Sequence, residues 1–90
     1  MAKNIIISNL NTAPAMTDVW VFVSRDKDGQ ENVVGSTFAA MGQQPMMTGN
    51  PKILKLFKKH MEEARDQLKK SKADQSIHLL HFSNREEIEW

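Results

Sequence analysis

Three histidines, six serines and eleven acidic side chains are the groups of this 90-residue chain with chemistry to offer. Their spacing argues against most of it. His78 and His81 are three residues apart in Ser76-Ile77-His78-Leu79-Leu80-His81-Phe82, a segment that reads as a strand. Side chains alternate across a strand, so the two rings point to opposite sides and cannot chelate one ion. His60 sits at the edge of a helical stripe, and a zinc site would need it to meet a strand histidine and a third ligand that the sequence does not identify. No serine lies in a nucleophile-elbow sequence. The segment from Gly42 to Gly49 has glycines but lacks the Lys-Ser/Thr pair of a phosphate loop. Glu86, Glu87 and Glu89 crowd an exposed-looking tail, where nothing would raise a carboxylate pKa for acid catalysis.

Ser24-Arg25-Asp26-Lys27-Asp28-Gly29 has the opening spacing of an EF-hand calcium loop. That loop needs a sharp bend at position six and a bidentate Glu at position twelve. Position twelve here is Gly35, and the preceding segment reads as a strand rather than a helix. The cage would have no closing ligand, and a hairpin turn is the better reading. The sequence therefore implies no catalytic residue, no metal and no cofactor.

Two features point to binding instead. Residues 51–72 hold eight basic residues against Glu62, Glu63 and Asp66, a balance of +5, although the whole chain carries only +1. Lys52, Lys55, Lys58 and Lys59 crowd the start of the expected helix, where the helix dipole favours anions instead. With Lys69 and Lys70 they form a face that could lie along a phosphate backbone. The opposing reading is a solvated face, because the acids interleave with the lysines at spacings of three and four. No aromatic side chain on that face could stack a base.

The second feature is apolar. Val19-Trp20-Val21-Phe22-Val23 offers apolar side chains to both sides of a strand. Met46 and Met47 are adjacent in a segment that reads as a loop, Leu56 falls on the margin of the helical stripe, and Trp90 ends the sequence. Methionines in a loop can pack as a lid or present an adaptable contact surface. Trp20, Phe22, Met46, Met47, Leu56 and Trp90 are together the candidate partner-binding residues.

Those residues must be positioned by few elements. Asn4 to Ser8 reads as a short strand and residues 9–17 as a loop. Val19 to Val23 is the strongest strand signal, followed by a polar turn at Asp28-Gly29 and a second arm from Asn32 to Phe38, with Gly35 suggesting a bulge. Ala39 to Asn50 reads as a long connection punctuated by Gly42, Pro45 and Gly49. Asn50 can cap a helix whose first residue is Pro51, and Leu54, Phe57, Met61, Ala64 and Leu68 form its apolar stripe. After the last strand, Ser83 to Glu86 has a capping-box pattern for one more helical turn. The order strand, strand, strand, helix, strand predicts an α+β domain spanning 1–90, a small, mostly antiparallel sheet with one amphipathic helix on one face.

Composition agrees with a single folded domain. An apolar fraction of 40% with 26% charged residues is too apolar for disorder. With no cysteine, neither disulfides nor thiolate chemistry are available. The opening apolar run is too short for a signal peptide, and no stretch approaches the length needed to span a bilayer. A soluble, cytoplasmic protein without membrane contact is the expectation. Its expected role is a small non-catalytic interaction protein that dimerises or docks on a larger protein to modulate it, as microbial and viral accessory or inhibitor proteins do. The alternative is a nucleic-acid-binding module that uses the lysine face.

Overall fold

Strand β1, Val19–Arg25, is the centre of the fold. Its β-branched and aromatic residues suit an extended, doubly flanked backbone. The computed structural model describes residues 12, 13, 15–38 and 42–90. Around β1 it shows β2 (Glu31–Val33), β3 (Gly35–Phe38), β4 (Gly42–Pro45), β5 (Met47–Thr48), α1 (Pro51–Ser71) and β6 (Ser76–Phe82). The expected strand at Asn4–Ser8 lies outside the described residues. The class is α+β as expected, a small antiparallel sheet with one helix.

β6 pairs antiparallel with the whole of β1, from Val19↔Phe82 to Arg25↔Ser76. The other side of β1 is shared. β2 covers its end, with Val23↔Val33 and Arg25↔Glu31 in register, and β5 covers its start through Trp20↔Thr48 and Val21↔Met47. The β1–β2 turn is the expected hairpin. Asp26 Oδ1 accepts the amides of Asp28 and Gln30 at 2.9 and 3.0 Å, and Gly29 takes a φ of 82°, which a residue without Cβ reaches at no steric cost. Arg25 closes the hairpin by donating to Glu31 at 2.7 Å.

Between β2 and β5 the structure departs from expectation. Ala39 to Asn50 is not one loop, because it holds β4 and β5. Nor is the second arm one strand with a bulge at Gly35. The ladder breaks at Val34, where the chain leaves β1, and β3 pairs with β4 as a separate two-stranded arm, from Gly35↔Pro45 to Phe38↔Gly42. A closed ring of three backbone hydrogen bonds holds the branch point. Phe22 N–H donates to Met46 O (2.8 Å), Met46 N–H to Val34 O (2.7 Å) and Val34 N–H to Phe22 O (2.9 Å). Pro45 is tolerated because both strands of the arm are edges.

Helix α1 starts as its sequence predicts. Asn50 Oδ1 accepts Lys52 N–H at 2.9 Å, and the Asn50 amide also donates to Thr12 O at 2.7 Å. At the other end Lys72 adopts a left-handed φ of 53°. Phe57 and Met61, four residues apart, bury one face of α1 against Phe22 and Met46; Val34, Ile53, Leu54 and Ile77 pack around them. Each such large side chain contributes about 1.5–3 kcal/mol when fully buried. The expected last helical turn at Ser83–Glu86 is absent, and residues 83–90 have no regular structure. A cap cannot make a helix by itself, since nucleation costs more than one turn returns.

Candidate functional site

Residues directly opposite in an antiparallel ladder share a face, so the register sorts the sheet's side chains. The face under α1 takes Phe22, Leu79, Trp20, His81, Ser24 and Ile77. The opposite face takes Val19, Val21, Val23, Arg25, Ser76, His78, Leu80 and Phe82, with Glu31 and Val33 from β2 and Met47 from β5. Val21 and Val23 at its centre are 6% and 5% exposed, whereas Val33 and Phe82 at two corners are 51% and 58% exposed. Among the described residues the one helix lies on the other side of the sheet, and the arm also turns that way, since Ser36 hydrogen-bonds His60 of α1.

The structure therefore divides the six residues that the sequence nominated for partner contact. Phe22 and Met46 are core residues, and Met46 is fully enclosed. Phe22 lies on the helix-covered face, and the branch-point ring draws Met46 in with it, so neither offers a surface. Met47 is exposed on the opposite face, as alternation after a buried Met46 requires. Leu56 is exposed on α1 in a shallow depression with Lys59, His60 and Glu63. Trp90 is fully exposed on the tail. Met47 thus joins Val33 and Phe82 on one face; Leu56 is on α1, away from both faces of the sheet. Sequence reading missed Val33, Leu79 and Phe82, although the alternation within Ser76–Phe82 was a usable signal.

Trp20 has a different setting. It is half-buried and stacks on its cross-strand partner His81, with ring centroids 5.0 Å apart and planes 9° from parallel. His81 Nε2 lies 2.8 Å from Asp18 Oδ1, and Thr17 Oγ1 donates to the other carboxylate oxygen at 3.0 Å. The His81 contact, followed by the Thr17 hydroxyl, holds the Asp18 carboxyl below the usual carboxylate range. A carboxylate-oriented imidazole can serve as a base. Among the described residues, however, no hydroxyl contacts this ring, and the Thr17 hydroxyl is turned to the carboxylate instead. The arrangement clamps Trp20 and ties β6 to the segment before β1.

The histidines do not converge. His60 bonds Ser36, His78 bonds Ser76 and His81 faces Asp18. No group of three metal-ligating side chains gathers among the described residues. Lys52, Lys55, Lys58, Lys59, Lys69 and Lys70 are all exposed along α1. Among the described residues no lysine lies within 4.0 Å of a carboxylate, and the ion pair on α1 joins Arg65 to Asp66 at 3.6 Å. No described helix is long and apolar enough to cross a membrane. Comparison with protein-family models, with curated proteins and with solved structures finds no match for this chain.

Proposed function

We propose that this chain is a non-catalytic interaction protein that meets another protein surface, a second copy of itself or a larger partner, through the sheet face opposite α1. The observation that supports this reading is the pair Val33 and Phe82. Both are more than half exposed on a face that also carries Val19, Val21, Val23, Leu80 and Met47, with Arg25, Glu31, Ser76 and His78 toward one end. Side chains left in water add nothing to the stability of a 90-residue chain, and exposed apolar side chains at the margin of an apolar face fit a contact surface. Val33→Asp tests it. The position is exposed, so the fold persists, while the association made through this face, measured by sedimentation and by retention of proteins from an extract of the source cell, is lost. Association unchanged by that charge rejects the reading.

The lysine face supports a second reading, nucleic-acid contact. Its support is the surplus of basic over acidic side chains along α1, where among the described residues no lysine lies within 4.0 Å of a carboxylate.

A further inference from the structure

Among the described residues no strand pairs with the outer edge of β6, and the hydrogen-bonding groups of that edge can be assigned residue by residue. Phe22 sends both its N–H and its C=O toward the β2–β5 side, to Met46 and Val34. Backbone direction alternates along a strand, so Val19, Val21, Val23 and Arg25 turn theirs toward β6. Their partners Phe82, Leu80, His78 and Ser76 turn inward to meet them. Ile77, Leu79 and His81 are left with amide and carbonyl pointing away from β1, and among the described residues no strand pairs with them. Natural edges are blunted by lysine, proline, a bulge or brevity. Seven residues long, Ser-Ile-His-Leu-Leu-His-Phe has none of these.

We infer that β6 pairs antiparallel with β6 of a second copy, across a two-fold axis through Leu79, joining two sheets into one. This goes beyond the interaction reading above, because it names a second copy as the partner and uses the edge of the sheet rather than its face. Three features favour a second copy. Leu79 is the central residue of β6, so a two-fold axis there sets Leu79 against its own mate and Ile77 against His81. Every outward amide and carbonyl of the strand is then used in one register. Strand β6 carries no formal charge apart from its histidines, so no carboxylate or lysine is brought against its own copy.

The third feature is the groove beside the edge. Leu79 is 38% exposed at the mouth of a cavity of about 190 Å³ between β6 and α1, lined also by Phe22, Lys58, Met61, Glu62 and Arg65. In the paired state the two Leu79 side chains cover each other over these mouths. Both helices then lie on the same side of the joined sheet. A rim that bears Lys58, Glu62 and Arg65 can meet its inverted copy with each Glu62 against a cation of the other.

Hydrogen exchange of the intact chain, read at single amides beside sedimentation equilibrium, tests this. The expected result is a dimer in which the amides of Ile77, Leu79 and His81 are protected along with those of His78 and Leu80. In a monomer only the latter two are held, by β1. Leu79→Pro removes an outward N–H and leaves the β1 ladder intact, so it should give a folded monomer with those outward amides exchanging freely. Leu79→Lys, which sets two like charges on the axis, should do the same if the proline variant fails to fold. A wild-type chain that is monomeric at high micromolar concentration overturns the inference, as does a dimer whose outward amides exchange freely. A dimer that survives Leu79→Pro but dissociates in Val33→Asp places the contact on the sheet face, rejecting the edge and sparing the broader reading. Protection supplied by a strand of some other protein likewise rejects the second copy.

Discussion

The amide of Phe22 donates to the carbonyl of Met46 at 2.8 Å, and both side chains lie in the same core under α1. One contact therefore ties the central strand to the segment that returns from the β3–β4 arm. Because Val34 completes the ring, the arm can stand off the sheet without leaving buried backbone groups unpaired. The branch point, rather than a turn, sets where β2 ends and β5 begins.

Met46→Ala is expected to be among the costliest single changes. Met46 is fully enclosed, so its truncation leaves a cavity and should destabilise the fold by about 2–5 kcal/mol in chemical denaturation. Met47→Ala, one residue on and 40% exposed, should cost far less. Equal losses at the two positions would contradict the alternation that separates core from surface here.

The Asp18–His81 contact gives a pH dependence with a definite sign. The folded carboxyl of Asp18 is held below its ordinary value by the hydrogen bond to His81. Its stabilising contribution is present above the unfolded value of about 3.9 and fades as pH falls through the lower folded value. Stability in urea should therefore decline with acidification below about pH 4 more in the wild type than in Asp18→Asn. The Trp20 indole resonance should shift over the same range. Parallel acid profiles for the two proteins would remove the proposed clamp.

The lysine face is tested by Lys55→Glu combined with Lys59→Glu. Both positions are exposed, so folding is unaffected. Any oligonucleotide affinity should fall at least tenfold, and the wild-type affinity should weaken steeply as salt rises. Binding that ignores both the substitutions and the salt is not carried by these lysines.

Val33→Asp and Leu79→Pro separate the two apolar contacts. The first charges a corner of the sheet face and the second silences one outward amide of β6. Each is expected to abolish only the association that uses its own surface, as read from the sedimenting mass.

Much of this architecture was legible residue by residue. The hairpin at Asp28-Gly29, the strand at Ser76–Phe82 and the helix from Pro51 each depend on neighbours a few positions away. The branch point was not legible. Pro45 and Gly42 read as loop punctuation, and only their pairing with Gly35 and Phe38 makes them a strand. Of the candidate surface residues, Met47, Leu56 and Trp90 are exposed, whereas Phe22 and Met46 are core. An apolar side chain on a two-faced strand carries no label for which face the helix will take.

By itself, the amino-acid order determined the elements whose signals are local: the Asn50 cap, the stripe ending in Met61 and Leu68, and the apolar run of β1. Tertiary structure alone decided which face α1 covers, that Val34 and Met46 close a ring with Phe22, and that the outward amides of β6 meet no described strand. The physical reason is range. Caps and periodicity are satisfied within one or two turns of chain, whereas burial and strand pairing are settled between residues far apart in sequence, where many partners compete for the same edge.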